Sequence, residues 1–334
     1  MALLNKLNQK ITSQINTGFG VNADNYGGRF VKKDGNSNIE KRGLGLFERI
    51  SWFHSMLTIK RWQFLVVIFF VFVSINLFFA IIYYIIGIDH LGGVVASSKV
   101  RNFAEAFFFS CQTFTTVGYG RVNPLGMLTS SIAAFEALIG LLSFALATGL
   151  LYGRFAKPKA FLRFSENALI APYKDMTALM FRVAPYKNTN LIDAEVKVML
   201  GLTVKENGKI SNQFFQLPLE FNTVNSLNLS WTIVHPINED SPLYDYTQED
   251  FNRERGEIVV YLKAFDDMFS NTVVASTSYI FKEIVYGAKF NMMYKRSQDN
   301  SKTTSYLDKL NSFSSTTLPE RKAEINEEII STPE

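Results

Sequence analysis

The stretch TTVGYG at residues 115–120 places two glycines, a tyrosine and threonines inside the most apolar part of the chain. Glycine weakens a helix and marks an irregular position in a strand, so this stretch is predicted to be neither. Irregular backbone at membrane depth is tolerated only where protein or water surrounds it. The preceding residues 102–114 can form a short helix that ends at TTVGYG, and the negative end of its dipole favours a cation there. The stretch is therefore a candidate cation site.

The residues before this site have the features of a single short helix. They read NFAEAFFFSCQTF over 102–114, in which Asn102 is a candidate N-cap and Glu105, three residues later, completes a capping-box arrangement. The segment between the two neighbouring apolar stretches is too short to cross a membrane and return as two helices. One short helix is therefore predicted to reach membrane depth before TTVGYG.

Two apolar stretches flank the candidate site. Residues 64–86 carry no charge in 23 positions, and a helix needs about 20 residues to span the hydrocarbon core. Residues 127–152 form the second stretch and carry one charge, Glu136. The first stretch starts too late and runs too long for a signal peptide. Two membrane-spanning helices are therefore predicted.

Lysine and arginine are distributed unevenly around these two stretches. They concentrate before the first and after the second, and they are sparse in the connecting segment. The flanking residues are Lys41, Arg42, Arg49, Lys60 and Arg61 on one side, and Arg154, Lys157, Lys159 and Arg163 on the other. Because such residues favour the cytoplasmic side, both termini are predicted to be cytoplasmic. The predicted location is a cell membrane, which is the inner membrane if the source is bacterial.

Composition and missing motifs exclude several functions. The single cysteine, Cys111, has no partner for an internal disulfide. The net charge of +4 comes without a dense stripe of lysine and arginine, so no nucleic-acid partner is expected. The chain has no GxSxG, HExxH or P-loop motif and no strand–GxGxxG–helix unit. Neither an enzyme nor a nucleotide-binding domain is therefore predicted, and no cofactor is expected.

The chain after about residue 160 has the composition of a soluble protein and is rich in strand-forming residues. The clearest examples are LMFRVA at 179–184, AEVKVMLGLTV at 194–204 and EIVVYL at 257–262, which are separated by turn-forming clusters. No long helical stretch alternates with them, so a β-sandwich is predicted rather than a parallel sheet. The polar residues from 297 onwards are predicted to be disordered.

The pentapeptide TVGYG at residues 116–120 resembles the selectivity filter of potassium channels, in which four such loops supply carbonyl oxygens that replace the hydration shell of the ion. Gly118 and Gly120 can adopt the φ values that turn successive carbonyl groups towards one axis. The hydroxyl of Thr116 adds an oxygen at the inner end, while Val117 and Tyr119 point into the surrounding wall. This resemblance implies K⁺ sites at Thr116, Val117, Gly118 and Tyr119. Because one chain supplies one strip of oxygens, four copies must surround the axis as a homotetramer.

The rest of the chain resembles the inward-rectifier potassium channels, particularly their prokaryotic branch. The resemblance rests on RFVKKDGNSNIEKRG followed by LFERISWFHSMLTIKRW, on FAKPKAFLRFS, on LSWTIVHPINEDSPLY and on TSYIFKEIVYGAKF, which also agree in order and spacing. It covers roughly residues 28–294. It implies a tetrameric membrane α-helical pore domain with two spans in each chain, and a cytoplasmic all-β immunoglobulin-like sandwich that extends the pore.

The resemblance and the hydropathy pattern together predict five segments. They are a cytoplasmic N-terminal segment (1–45), an interfacial slide helix (46–60), a transmembrane pore domain (61–156), a cytoplasmic β-sandwich domain (157–296) and a polar, disordered tail (297–334). The pore domain is expected to contain an outer helix (62–87), a pore helix (102–114), the filter (116–120) and an inner helix (126–155). Alternatively, the slide-helix residues are simply the cytosolic start of the first span.

Two residues of the inner helix are candidates for lining and closing the pore. By resemblance, Phe144 occupies the cavity position where strongly rectifying members carry an acid, and Tyr152 lies eight residues further towards the cytosol. A large residue at the second position narrows the bundle of inner helices in this family. Four tyrosine side chains can then close the pore by dewetting. The alternative for Tyr152 is an interfacial anchor, a common role of tyrosine at membrane boundaries.

The resemblance also implies weak rectification. Strong rectifiers attract Mg²⁺ or polyamines with acidic residues in the cavity and in the cytoplasmic pore. This chain has the apolar Phe144 at the first of these positions and the basic Lys263 at the second. A potassium channel with weak polyamine block is therefore expected.

Glu136 is a charged residue within a membrane-spanning stretch. A charged side chain at mid-membrane costs about 2.5–3.5 kcal/mol on insertion scales, so Glu136 is expected to face protein or water. One interpretation is a contact behind the pore helix that supports the filter, which the resemblance to prokaryotic members favours. The other interpretation is a cation site that faces the pore.

Three basic residues close to the end of the inner helix are candidate lipid ligands: Arg154, Lys157 and Lys159. Clusters at this position attract anionic lipid headgroups with about 1 kcal/mol per charge near the membrane surface. Membrane lipids, including anionic ones, are therefore candidate partners, and members of this family respond to such lipids. The alternative is that these charges only establish the topology.

The function predicted from these features is passive, K⁺-selective conduction through a tetrameric pore. Gating is expected at the inner-helix bundle, with modulation by anionic lipids and with K⁺ as the permeant ion. The alternative is a non-conducting or ligand-locked membrane sensor on the same scaffold. The intact TVGYG sequence argues against a loss of conduction.

Overall fold

A computed structural model of the chain describes residues 29–319 except 41, 44, 46–50, 96, 157, 207, 208 and 300. The chain divides into two compact units. The helical unit comprises residues 41–157, and the β unit combines residues up to 40 with those from 158 onwards. Both apolar stretches of the sequence belong to the helical unit.

Four helices make up the described part of the helical unit. They are α1 (Trp52–Thr58), α2 (Arg61–Ile86), α3 (Lys99–Phe114) and α4 (Met127–Phe155). Two of them, α2 and α4, are long and apolar enough to cross a membrane. Large apolar side chains such as Phe69, Phe70 and Leu141 are exposed in the single chain, as expected for helices that lipid or further protein surrounds. The prediction of two spans is confirmed.

Short elements join the helices of this unit. A 3₁₀ turn (Ile88–His90) follows α2 and leads into the two-residue strand β1 (Leu91–Gly92), which pairs antiparallel with β2 (Asn123–Pro124). Of the predicted slide helix, residues 46–50 lie outside the described residues. The described helix α1 follows Ser51, whose hydroxyl accepts the backbone N–H of His54 (3.4 Å) and so caps the helix.

The helix α3 starts earlier than its sequence predicts. It begins at Lys99, so the predicted start at residue 102 was wrong. The side chain of Asn102 does not cap the helix, because its Oδ1 accepts the backbone N–H of Ser97 (3.0 Å) from within the helix. Glu105 does not complete a capping box either, because its carboxylate pairs with Arg121. Both side chains are used by contacts that local sequence spacing does not reveal.

The β unit contains fourteen strands in its described residues. They are β3 (Leu162–Phe164), β4 (Ala168–Tyr173), β5 (Met176–Pro185), β6 (Leu191–Glu206), β7 (Lys209–Gln216), β8 (Thr223–Ser226), β9 (Trp231–Ile237), β10 (Gly256–Asp266), β11 (Asn271–Ile280), β12 (Ile284–Tyr286), β13 (Ala288–Phe290), β14 (Tyr294–Arg296), β15 (Thr303–Ser305) and β16 (Phe313–Ser315). A short helix, α5 (Gln248–Arg253), precedes β10. Ten of the strands form two five-stranded sheets, ordered β11-β10-β6-β7 with β8 on β6, and β12-β4-β5-β3 with β9 on β5.

The two larger sheets enclose one hydrophobic core. Strand β10 shows the alternation that produces it: Ile258, Val260 and Leu262 are buried, while Tyr261 and Lys263 on the opposite face are exposed. Buried residues from both sheets belong to a single cluster. The β-sandwich predicted from the strand-forming segments is confirmed.

The predicted disorder of residues 297–334 was wrong for the part that the structure describes. Strand β15 pairs with β14, and β16 pairs with β13. Between them, Leu310 is buried against Met293 and Ala184. The polar composition of this segment hides the few apolar side chains that attach it to the sandwich, among them Leu307 and Leu318. Residues 320–334 of the predicted tail lie outside the described residues.

The N-terminal residues 29–38 lie against the β unit. Both carboxylate oxygens of the buried Glu257 accept backbone N–H groups, from Phe30 at 2.6 Å and from Val31 at 3.1 Å. The hydroxyl of Ser278 donates to the carbonyl oxygen of Val31. The segment that precedes α1 in sequence is thus attached to β10 and β11.

His235 in β9 is a buried structural residue of the sandwich. Its Nδ1 lies 2.5 Å from the carbonyl oxygen of Pro218, which can only accept, so Nδ1 carries the proton. Its Nε2 then accepts from the hydroxyl of Ser241 at 2.7 Å. Burial lowers the pKa of His235 to about 4, so the imidazole is neutral near neutral pH.

Candidate ion-conduction site

Residues 115–120 form an irregular loop directly after α3. Three of them have φ in the left-handed region: Thr116 at +58°, Gly118 at +53° and Gly120 at +83°. Glycine adopts such values without a steric cost, whereas a threonine there is strained and is held only by its surroundings. The backbone conformation therefore accounts for both glycines of the motif.

One residue of α3, Gln112, holds three successive N–H groups of this loop. Its backbone carbonyl oxygen accepts from Val117 (2.9 Å) and from Gly118 (3.2 Å), and its side-chain Oε1 accepts from Tyr119 (3.2 Å). In a planar trans peptide the C=O group points opposite to the N–H group. The carbonyl groups of Thr116, Val117 and Gly118 therefore turn away from α3, all to one side. This strip of oxygens is the arrangement that coordination of a dehydrated cation requires.

Two further contacts fix the residues that follow the filter. The Nε2 of Gln112 donates to the carbonyl oxygen of Val122 at 3.3 Å, and Val122 itself is buried. The guanidinium of Arg121 pairs with the carboxylate of Glu105 in α3. Both contacts attach the returning chain to the same helix that precedes the loop. Residues 115–120 are therefore held from both ends.

The role of Gln112 was not predicted from the sequence. The position of Gln112 within the apolar AFFFSCQTF was a sign of a structural role, because an amide in an apolar helix needs partners for both its donor and its acceptor. Its spacing from the filter also fits, since Thr116 lies about one helical turn further along the chain. Neither observation identifies Val122 or Tyr119 as the partners.

Glu136 lies in a buried polar cluster between three helices. It has no exposed surface in α4, and its Oε2 accepts from the hydroxyl of Tyr83 in α2 at 2.6 Å. Its Oε1 accepts from the hydroxyl of Ser110 in α3, which also lies 3.0 Å from Oδ1 of Asn76 in α2. The ring of Tyr83 packs edge-on against Phe109, with 5.0 Å between the centroids. Glu136 thus connects α4 to α2 and to α3.

The position of Glu136 can be compared with its two predicted roles, support of the filter and a cation site that faces the pore. The carboxylate contacts α3 through Ser110, two residues before Gln112, so it lies behind the helix that holds the filter. A side chain without exposed surface does not fit a cation site that faces open space. The geometry favours support of the filter. Asn76, Ser110 and Tyr83 were not identified from sequence, because single polar residues in apolar helices do not reveal their partners.

The two candidate pore-lining residues are both exposed on α4. Phe144 is 73% exposed and Tyr152 is 74% exposed in the single chain. A groove of about 670 Å³ within the helical unit is lined by Phe144 together with Thr116, the first filter residue. The structure therefore brings Phe144 and the inner end of the filter to one surface. Tyr152 lies two helical turns further along and does not line this groove.

The other predicted site residues do not form one group. Lys263 is exposed on β10, in register with Glu195 on β6 and Val274 on β11. Lys159 is exposed after α4, and Lys157 lies outside the described residues. The guanidinium of Arg154 contacts carbonyl oxygens of Met56 and Ile59. The two described candidate lipid ligands thus differ: Lys159 is exposed, whereas Arg154 contacts backbone carbonyl groups.

Two family models match adjoining parts of the chain. A model described as an ion channel matches residues 71–157, which include α3, α4 and the filter loop. A model described as the inward rectifier potassium channel C-terminal domain matches residues 162–329, which include the sandwich. The fold and the site together define a membrane ion channel with a β-rich C-terminal domain.

Similar proteins indicate which kind of ion channel this is. The inward rectifier potassium channel Kirbac3.1 of Paramagnetospirillum magnetotacticum is 32% identical over 267 residues, which are 78% of this chain and 88% of the relative. Two human proteins are also similar. The G protein-activated inward rectifier potassium channel 4 is 27% identical, and the match covers 78% of this chain and 67% of the relative. The ATP-sensitive inward rectifier potassium channel 12 is 28% identical, and the match covers 78% of this chain and 65% of the relative. The chain belongs to the inward-rectifier potassium channel family.

The family predicted from the sequence is thereby confirmed, and the protein is a potassium channel, not an enzyme. Channels of this family lie in membranes, are tetrameric and conduct K⁺. Among solved structures, the sporulation control protein Spo0M of Bacillus subtilis matches 42% of this chain and 61% of its own, with 8% identity and a TM-score of 0.21. A TM-score this low does not indicate a shared fold.

Proposed function

We propose that four copies of this chain form a K⁺-selective pore whose filter is residues 116–120. The observation that carries the proposal is the set of N–H groups held by Gln112, because it turns three successive carbonyl oxygens to one side. A ring of such strips replaces the hydration shell of the ion, and one chain supplies only one strip. The proposed K⁺ sites are the backbone oxygens of Thr116, Val117, Gly118 and Tyr119.

The proposed gate lies on α4. Phe144 lines the cavity below the filter, and Tyr152 narrows the bundle of inner helices about two turns further along. Four copies of an aromatic side chain at one level form an apolar constriction, which closes a pore by excluding water. The exposure of both side chains in the single chain supports this assignment.

The proposed orientation places both termini and the β unit in the cytoplasm, with α1 along the membrane surface. The protein is proposed to lie in a cell membrane, which is the inner membrane if the source is bacterial. Anionic lipids are proposed to act near the cytoplasmic end of α4, where Lys159 is exposed. The basic residues on this side of both spans support the orientation.

The proposed selectivity predicts cation flux into liposomes that contain the purified protein. We expect uptake of K⁺ and Rb⁺ but not of Na⁺, and we expect Ba²⁺ to stop it. As a control, Gly118→Ala should abolish uptake in an intact tetramer, because a side chain at φ +53° is strained by about 1–2 kcal/mol. Equal flux of Na⁺ and K⁺ contradicts the proposed filter, and a folded tetramer without flux in any lipid mixture indicates a non-conducting or ligand-locked sensor.

Weak rectification is a separate prediction of the pore lining. Polyvalent cations accumulate where negative charge lines a pore, and Phe144 and Lys263 supply none. Voltage ramps with and without internal spermine should therefore show little voltage-dependent block. Phe144→Glu should introduce block, and the uncharged control Phe144→Leu should not. Steep block of the unchanged protein by spermine contradicts this prediction.

A further inference from the structure

The guanidinium group of Arg154 joins the end of α4 to the end of α1. Its Nη1 donates to the carbonyl oxygen of Met56, and its Nη2 donates to that of Ile59 at 2.6 Å. The same group lies over the ring of Phe64 in α2, at 4.6 Å from the ring centroid. The side chain of Arg154 therefore links its own helix, α4, to the end of α1 and to α2.

The carbonyl groups that Arg154 contacts belong to the C-terminal end of α1. The last four carbonyl groups of an α-helix have no donor within the helix. Helix α1 ends at Thr58 with Ile59 as its C-cap, so both acceptors lie in this unsatisfied end. A planar guanidinium carries N–H donors in a fixed fork and reaches two acceptors at once, whereas an ammonium group acts as a point charge. Arg154 thereby caps α1 and holds it against α4.

The neighbouring residue of α4 is also fitted to α1. A Cβ atom added to Gly153 lies 3.2 Å from Cδ2 of Leu57, which is closer than an ordinary contact. The absence of a side chain at Gly153 thus permits α1 to approach α4 directly beside Arg154. Apolar packing and the charged contact act at the same place.

We propose that Arg154 is a positioning residue that transmits the position of α1 to the gate, and that it does not act as a ligand for lipid headgroups. The proposal rests on the proposed function, since it takes Tyr152 as the gate. Tyr152 precedes Arg154 by two residues on the same helix, a rise of about 3 Å. A displacement of α1 is therefore passed to α4 at the level of the proposed constriction. Lys159 remains the described candidate for contact with headgroups.

Arginine-to-lysine replacement separates the two roles, because Arg154→Lys keeps the charge that attracts a headgroup but loses the two-carbonyl contact. The variants are Arg154→Lys, Arg154→Met and the control Lys159→Met. One measurement is amide hydrogen exchange of residues 55–60, and the other is Rb⁺ uptake into phosphatidylcholine vesicles with and without phosphatidylglycerol. In both Arg154 variants we expect exchange to be faster by about tenfold or more, as for the loss of at least one charge-assisted hydrogen bond, together with altered Rb⁺ uptake in both vesicle types. Lys159→Met should leave the exchange unchanged.

Three results contradict the proposal. Exchange and uptake of Arg154→Lys equal to those of the unchanged protein indicate that only the charge matters. A loss of the phosphatidylglycerol response in Arg154→Met alone indicates a headgroup ligand. Faster exchange with unchanged uptake shows that α1 is released without effect on the gate. Hydrogen exchange does not depend on conduction, so a failure of the proposed channel function and a failure of this contact are distinguishable.

Discussion

Gln112→Met is expected to remove most of the discrimination between Rb⁺ and Na⁺. The substitution keeps the length of the side chain and the backbone carbonyl that accepts from Val117 and Gly118, but it removes the acceptor for Tyr119 and the donor to Val122. Each lost hydrogen bond is worth about 0.5–1.5 kcal/mol, so the ratio of Rb⁺ to Na⁺ uptake should fall by roughly tenfold or more. The measurement is uptake of both ions by the same liposome preparation.

Gln112→Glu is the matched control for this prediction. A carboxylate keeps the acceptor for the Tyr119 N–H group and loses only the donor to Val122, so we expect an intermediate ratio of Rb⁺ to Na⁺ uptake. The variant also places a titratable group beside the filter, so its uptake should change with pH differently from that of the unchanged protein. Unchanged selectivity of Gln112→Met indicates that the backbone carbonyl of residue 112 alone orients the filter.

Glu136→Leu is expected to destabilise the helical unit and to abolish conduction. The substitution leaves the buried hydroxyl groups of Tyr83 and Ser110 without their shared acceptor. An unsatisfied buried hydroxyl costs about 1–3 kcal/mol, although Ser110 keeps Asn76 as a partner. We expect a lower midpoint of thermal unfolding in detergent and loss of Rb⁺ uptake.

Smaller substitutions test whether the cluster acts as a unit. Glu136→Gln keeps one acceptor oxygen and should be milder than Glu136→Leu, while Tyr83→Phe removes one donor only. Groups in direct contact show coupling energies of about 0.5–3 kcal/mol in double-mutant cycles, so the combined variant should not be additive. Additive effects, or a conducting Glu136→Leu protein of unchanged stability, contradict a shared role of these residues behind α3.

Local sequence pattern predicts the parts of this protein that depend on periodicity or on a specific motif. The two spans follow from long apolar stretches, the sandwich follows from strand-forming segments between turns, and the proposed filter follows from TVGYG. The start of α3 did not follow, because Asn102 and Glu105 use their side chains for contacts with Ser97 and Arg121. Propensity and spacing describe a helix in isolation, and these contacts exist only in the folded chain.

The supporting contacts of the site were not predictable for the same reason. Tyr83 and Glu136 are separated by 53 positions, and nothing in either apolar helix identifies the other as its partner. The charge and position of Arg154 alone predict a lipid ligand, whereas its contacts with Met56 and Ile59 depend on the placement of α1 beside α4. A motif indicates the residues proposed to contact the ion, while the residues that hold them depend on tertiary contacts.

The attachment of residues 29–38 to the β unit has a consequence for biosynthesis. Phe30 is synthesised 227 positions before its acceptor Glu257, and Val31 is synthesised 247 positions before its donor Ser278. At about 5–20 residues per second, the ribosome delivers these partners roughly 10–50 s after the N-terminal segment has emerged. Both membrane-spanning helices are made within that interval. Insertion into the bilayer can thus begin before the sandwich is complete, and residues 29–38 reach their folded position only after both membrane-spanning helices have been made.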